Sequence, residues 1–436
     1  MPFGNYWQRE EVMPLKDLYD IQTKRLRWVV KHAYDNVPFY RKKMRELGVH
    51  PSDIRRREDV RKLPFTTKED LRDNYPFGLI AVGKDELVRI HTSSGTSGKP
   101  KVVAYTKRDL ENWINMVARC LYMVGVRRGD VFQNMVNYTL FTGGLGFHYA
   151  AERIGALTVP SGTGNTERQI QYMIDFGTTV IHATPSYALR IREVAEEKGI
   201  DPQSLPLRIG CFGAEPWSNS TRKRLEEAFG IKAYDSYGLS EMNGPGVAFE
   251  CEEQNGLHIW IDHYFVEIVD EEGEPVGEGE KGELVLTPLT KEALPLLRYR
   301  TGDVTYLMDY EKCSCGRTHP KISRILGRTD DMIVVRGVNV YPSQIEHVLM
   351  QIPEVGDNFQ VVITRNGPLD EITVKVEVKD ESFTGELSDL KKIQEKIVKS
   401  LQRELNIRVN VELVEKGTLE RFEGKAKRVI DLRKEL

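Results

Sequence analysis

Four short apolar runs at residues 131–135, 156–160, 179–183 and 209–213 alternate with longer segments of helical spacing, the first of these a helix predicted over 107–124. That alternation limits the fold more than any other feature, because strands recurring with helices between them build mostly parallel sheets covered by helices. We therefore expect an α/β protein. Loops at the carboxyl ends of such strands are where ligands bind. Two of them stand out: Gly213-Ala214-Glu215-Pro216, and residues 138–148, which hold Tyr138, Phe141 and the pair Gly143-Gly144.

Ahead of the alternation lies His91-Thr92-Ser93-Ser94-Gly95-Thr96-Ser97-Gly98-Lys99-Pro100-Lys101, between apolar runs at 87–90 and 102–105 that read as strands. Small hydroxylated side chains and glycines let backbone N–H groups approach an anion, and Lys99 and Lys101 add positive charge, so the loop reads as a phosphate cradle. It is not a Walker loop. There a Ser or Thr follows the lysine at the start of a helix to hold Mg2+, whereas here Pro100 follows and a strand comes next. Read alone, the same composition also suits a polar hairpin loop with no ligand.

At 436 residues the chain has room for two domains and a large core. Its net charge of −3 and the lack of a long basic run point to a small-molecule partner rather than nucleic acid. The first residues lack the basic-then-apolar order of a signal peptide and no apolar stretch approaches a membrane span, so a cytoplasmic protein is expected. The first ninety residues are polar and helical, with Leu15, Leu18, Ile21, Leu26, Val29 and Val30 spaced for one buried face; nothing in them suggests chemistry.

Four later motifs are individually weak. Ala233-Tyr234-Asp235-Ser236-Tyr237-Gly238-Leu239-Ser240-Glu241 brackets a glycine turn with an aromatic and a carboxylate. Arg298-Tyr299-Arg300-Thr301-Gly302-Asp303 puts a carboxylate at a turn beside cations, and Gly327-Arg328-Thr329-Asp330-Asp331 repeats that arrangement. Glu423-Gly424-Lys425-Ala426-Lys427 presents a lysine after a glycine; alone it would pass for a solvated tail.

Taken in this order, these motifs resemble the adenylate-forming superfamily of acyl- and aryl-CoA synthetases, and more closely still its phenylacetate-activating branch. The resemblance includes Asn36-Val37-Pro38-Phe39-Tyr40, Leu63-Pro64-Phe65-Thr66 and Asn74-Tyr75-Pro76-Phe77-Gly78 before the cradle, and Phe141-Thr142-Gly143-Gly144-Leu145-Gly146 after it. It spans nearly the whole chain. It implies a ligase working in two steps: an aryl carboxylate plus ATP gives acyl-adenylate and pyrophosphate, and the thiol of coenzyme A then displaces AMP. No nucleic-acid or membrane partner is implied, and a homodimer is left open.

On that resemblance Ser93, Ser94, Gly95, Thr96, Ser97, Gly98 and Lys99 hold the β- and γ-phosphates, and Glu241 coordinates Mg2+. Tyr237 lies near the adenine, with Gly213, Ala214, Glu215, Asp235 and Ser236 lining the same pocket. Asp303 accepts from both ribose hydroxyls, assisted by Arg328. Lys425 reaches the carboxylate and α-phosphate in the first step, ahead of Lys427 because the family's lysine directly follows the glycine. Tyr138, Phe141, Gly143, Gly144 and Ala214 form a flat slot for a planar ring, unless Tyr138 and Phe141 are core residues.

Residues 1–326 are then an ATP- and acid-binding domain, and 327–436 a small α+β lid carrying the catalytic lysine. Its strands are expected at 361–364, 372–378 and 409–413, and Leu390, Ile393, Ile397, Leu401 and Leu405 recur at helical spacing. In the superfamily such a lid rotates between the half-reactions; the hinge falls at Asp330, and the turn at Arg336 and Gly337 faces the CoA channel.

Five cysteines at this length do not make a disulfide framework. Cys251, His258, Cys313 and Cys315 are a sufficient set for a closed, structural zinc site, although the two halves are far apart and His263 or His319 could replace His258. Thiols without metal are the other reading, and Cys120 and Cys211 read as packing residues. A second function class also uses this nucleotide site: an adenylyltransferase leaving AMP on another acceptor, as related deazaflavin-adenylating synthetases do.

Overall fold

The computed structural model describes residues 2–92, 100–308, 310–335, 338–366, 369–380 and 387–434. Its centre is an eight-stranded sheet. Five strands run parallel in the order Leu157–Val159, Val131–Asn134, Val180–Ala183, Ile209–Gly213 and Lys232–Leu239; Gly244–Glu250, Leu257–Ile259 and Lys321–Ile322 extend it antiparallel. The helices Thr142–Ile154, Thr166–Phe176, Pro185–Glu197 and Asn219–Phe229 connect the parallel strands. Val180–Ala183 and Ile209–Gly213 are buried along their whole length, which is why they read as unbroken apolar runs. No strand is placed at Gly244–Glu250 by the sequence reading, since Gly and Pro are weak strand signals. The glycines there serve close packing instead: a Cβ on Gly244 would stand 2.8 Å from Trp113 and one on Gly246 2.8 Å from Val117.

Leu87–Thr92 and Val102–Thr106 pair as the antiparallel hairpin expected around the cradle. The cradle itself, Ser93, Ser94, Gly95, Thr96, Ser97, Gly98 and Lys99, lies outside the described residues, as do Arg336 and Gly337. The helix Leu15–Asn36 buries Leu18, Leu26, Val29 and Val30 but only half covers Leu15 and Ile21, and Pro38 opens the next helix, Pro38–Glu46.

A second sheet joins Tyr264–Val269, Gly282–Pro288, Tyr299–Thr305 and Gly327–Arg328, all antiparallel. Two expectations are corrected here. Residues 233–241 make no glycine turn: the strand Lys232–Leu239 runs through Gly238, which passes so close to its neighbour that a Cβ would meet the Gly244 carbonyl oxygen at 2.3 Å. Nor is 298–303 a turn. Arg298, at φ 44°, swings the chain into the strand Tyr299–Thr305, whose burial alternates and whose register sets Asp303 opposite Arg328.

Val355–Asn366, Leu369–Val378, Asn410–Val414 and Val429–Asp431 form a further sheet, covered by Pro342–Met350 and Leu387–Leu405. Ile393, Ile397, Leu401 and Leu405 are buried there in an apolar core of their own with Val361, Ile363, Val374 and Val376. Among the described residues no helix is long and apolar enough to cross a membrane.

Arg119, on the helix Lys107–Met123, donates to both oxygens of Asp262 at 2.9 and 2.8 Å, tying that helix to the chain between the two large sheets. Both side chains are fully buried. Burial alone would raise the Asp262 carboxyl, but the guanidinium holds it well below the usual range. Replacing Arg119→Met removes both close hydrogen bonds to a buried carboxylate, leaving it Arg25 at 3.7 Å, and should cost about 3–5 kcal/mol. A lower denaturant midpoint would register that loss; an unchanged midpoint would mean the carboxylate finds another partner.

Candidate active site

Glu241 sits in the turn Ser240–Met242, where the last parallel strand ends. Its buried carboxylate accepts from the Tyr299 hydroxyl at 2.9 Å and is ion-paired with Lys101, just past the cradle. Burial would push this carboxyl up; Lys101 and Tyr299 together bring it below the usual range. Lys291, also buried, donates to the Glu241 carbonyl oxygen at 3.2 Å, and burial pushes its ammonium down to about 8.

Asp303 accepts from the Tyr237 hydroxyl at 2.6 Å and from Arg328. Its burial raises the carboxyl against the pull of Arg328 and Tyr237. Arg328 continues to Asp330 at 3.0 Å, and Asp330 accepts from Lys68, also at 3.0 Å. One polar chain thus runs from the main sheet to the expected hinge. Lys68 belongs to the first ninety residues, in which the sequence suggested no chemistry; its contact here is an ion pair between partly exposed side chains.

On the other side of Tyr237, Gly213 and Ser236 lie in register, so close that a Cβ on Gly213 would meet the Ser236 carbonyl oxygen at 2.3 Å. Asp235 accepts from Trp217 Nε1 at 3.0 Å and pairs with Arg324 at 3.4 Å. Ala214 takes a left-handed φ of 68° and is followed by Glu215. Glu215, Trp217, Arg328, Asp330, Lys425 and Lys427 line one cavity of about 790 Å³ between this edge and the C-terminal part. Residues 423–426 are no solvated tail: the Gly424 carbonyl accepts from the hydroxyls of Thr184 and Ser186, and Ala426 N–H donates to Glu215.

Tyr138, Phe141, Gly143 and Gly144 gather where Val131–Asn134 ends and Thr142–Ile154 begins. The Tyr138 hydroxyl accepts from Asn134 Nδ2 at 2.7 Å and meets His148 Nδ1 at 3.2 Å. Phe141 lies over Gly143, where a Cβ would meet its ring at 2.4 Å, and Gly144 leaves room for the Asn137 carbonyl. Neither aromatic is a core residue: Tyr138 is half-buried and Phe141 exposed. Ala214 stands apart from these four, at the end of Ile209–Gly213 with Val180–Ala183 between.

The ligand atoms of Cys251, His258, Cys313 and Cys315 all lie within 4.8 Å of one another. His258 Nδ1–H donates to the His319 carbonyl at 2.9 Å, which turns Nε2 toward Cys315 Sγ, 3.4 Å away. His319 and His263 face elsewhere, toward the Glu10 carbonyl and Thr290. Cys120 and Cys211 are fully buried, and burial pushes the Cys120 thiol up to about 12.

The AMP-binding enzyme family matches residues 19–287, and the AMP-binding enzyme C-terminal domain matches 337–433. The chain belongs to the AMP-binding enzymes. Among curated relatives of this family member, phenylacetate-coenzyme A ligase of Thermus thermophilus is 48% identical over 98% of this chain and 100% of its own length. The Escherichia coli protein of the same name is 47% identical over 97% of each chain. Among solved structures, 2-hydroxyisobutyryl-CoA ligase in the postadenylation state with 2-HIB-AMP matches at a TM-score of 0.94 and 32% identity, covering 100% of this chain and 94% of that chain. With 2-HIB-AMP and CoA in the thioesterification state, that ligase matches at 0.74 and 32%, covering 99% and 94%. The family resemblance and the α/β class read from the sequence both hold.

Sequence reasoning missed Lys291 and Tyr299 as neighbours of Glu241. Tyr299 lay within a motif already singled out, whereas a lone lysine before an apolar run carries no signal. Because burial lowers Lys291 from 10.5 to about 8, the unfolded chain binds more protons between those values and this group's contribution to stability rises with pH. Denaturant titrations across that window should show the rise flattened in Lys291→Met; parallel curves for variant and parent would contradict it.

Proposed function

We propose that this protein is an AMP-forming ligase that joins phenylacetate, or a similar aryl acid, to coenzyme A through an acyl-adenylate. One observation carries the reading: Arg328, ion-paired with Asp303, lines the same cavity as Lys425, which comes from the far end of the chain. Joining a carboxylate to an α-phosphate is mainly a matter of positioning and charge neutralisation. In the first step a carboxylate oxygen of the acid attacks the α-phosphorus and pyrophosphate leaves. Lys425, a point charge on a flexible stem, follows the charge that develops. In the second step the sulfur of CoA attacks the acyl carbon and AMP leaves.

The cradle residues 93–99, with Lys101, hold the outer phosphates, and Tyr138, Phe141, Gly143 and Gly144 receive the ring. Glu241 would hold Mg2+: its carboxylate already faces the ammonium of Lys101, so the site is built around a positive charge there. The ion would neutralise phosphate oxygens. The lid starts at 327 and turns at Asp330, and the reaction belongs in the cytoplasm. Near-full-length relatives bearing the phenylacetate-coenzyme A ligase name support this reading. They leave the adenylyltransferase alternative unfavoured.

Lys425→Ala should lower acyl-adenylate formation by about 10²–10³-fold, while thioester formation from supplied phenylacetyl-adenylate stays within about threefold of the parent. Equal losses in the two half-reactions would remove Lys425 from its role.

We also assign one structural zinc to Cys251, His258, Cys313 and Cys315, three thiols and an imidazole whose other nitrogen is already fixed. Elemental analysis should find about one zinc per chain, and Cys313→Ser should lose it and unfold at lower denaturant while still binding ATP. Protein purified without zinc and equally stable would rule the site out.

A further inference from the structure

We propose that Thr184, Ser186 and Glu215 form a clamp that sets the backbone of Lys425 for the first half-reaction. The inference rests on the function proposed above and concerns residues that act through the lysine rather than on substrate.

Thr184 caps the helix Pro185–Glu197, its hydroxyl accepting from Tyr187 N–H at 3.3 Å. The same hydroxyl donates to the Gly424 carbonyl at 2.9 Å, and Ser186 Oγ donates to that carbonyl at 3.1 Å. The Ser186 N–H is one of the first-turn amides that a helix leaves without an internal partner. Glu215 accepts from it through Oε1 at 2.8 Å, and through Oε2 from Ala426 N–H at 3.1 Å. One carboxylate therefore spans the helix start and the lysine segment. Glu423 adds a contact outside the clamp, accepting from Thr166 Oγ1 at 3.2 Å.

The Gly424 carbonyl belongs to the peptide unit before Lys425, and the Ala426 N–H to the one after it. Peptide units are planar, so each residue has two soft backbone dihedrals. Holding both flanking planes fixes φ and ψ of Lys425 and leaves only its side chain to find the reacting oxygens. Such placement matters because displacement by about 1 Å can cost about 10²-fold in rate. Ala214 fits the same purpose: its left-handed φ of 68° is uncommon for a residue with a Cβ, and it turns the chain just before Glu215. The clamp joins 184–215 to 424–426, so it exists only in this arrangement of the lid. The match of 0.94 to the ligase in the postadenylation state, against 0.74 to that ligase in the thioesterification state, supports assigning that arrangement to the first step. The clamp must open for the second.

Two variants test this: Thr184→Val combined with Ser186→Ala, which removes both hydroxyl donors to Gly424, and Glu215→Gln, which leaves one good acceptor for two N–H groups. Adenylate formation from phenylacetate and ATP, trapped with hydroxylamine, should fall about 10- to 100-fold in kcat for both, and for the Thr184/Ser186 variant KM for ATP should stay within about threefold. For the Thr184/Ser186 variant, thioester formation from supplied phenylacetyl-adenylate and CoA should stay within about twofold. Introduced into Lys425→Ala, the Thr184/Ser186 change should alter residual adenylation by less than about twofold, since a clamp has nothing left to position. Adenylation near the parent's rate, or a further tenfold loss in the Lys425→Ala background, would overturn the clamp. A parent that makes no adenylate from any aryl acid would instead overturn the proposed function, so the two failures are distinct.

Discussion

A carboxylate can stay buried only where cations or hydrogen-bond donors meet it, and two such groups stand near the carboxyl edge of the main sheet. Glu241 meets Lys101 and Tyr299; Asp303 meets Arg328 and Tyr237. Their partners come from the cradle hairpin, the main sheet and the second sheet. Leaving either carboxylate without them would cost several kcal/mol. That cost holds these separate elements around one edge, the one proposed to take the nucleotide.

The contacts to the C-terminal part are of another kind. Arg421 bridges Glu193 and Glu377, Arg224 pairs with Asp357 at 2.7 Å, and Glu346 accepts from Ser218 at 3.1 Å. The apolar side chains from Ile333 to Val411 meanwhile close on one another in a separate core. An interface made of ion pairs and hydrogen bonds can separate with little exposure of apolar surface, because water replaces the lost partners. This suits the proposed lid, with Lys68, Asp330 and Arg328 as a polar thread across its base.

The candidate site was read from short, contiguous pieces of the sequence. The runs before Gly213 gave the parallel strands since burial on both faces leaves a continuous apolar signature. Lys425 and Asp303 stood out because glycine beside a charged residue is a local pattern. The same local view misread their geometry. Gly238 suggested a turn, yet it lies in a strand, and glycine is needed there because the neighbouring chain leaves no space for a Cβ. The 298–303 segment also looked like a turn, since its alternating burial depends on a partner strand that comes later in the chain.

By itself the sequence determined the α/β class and the family, because these follow from periodicity and from motifs a few residues long, and it singled out the charged residues proposed to surround the nucleotide. It also supplied three thiols and several histidines without saying which imidazole joins them. The tertiary structure chose His258, because the carbonyl of His319 takes its Nδ1–H and leaves Nε2 facing the cysteines. It likewise decided that Lys101 faces Glu241, that Lys68 reaches Asp330 and that Glu215 holds the peptide after Lys425. Those pairings join residues far apart in the chain, and only the packing of the sheets and the lid brings their atoms within hydrogen-bonding distance.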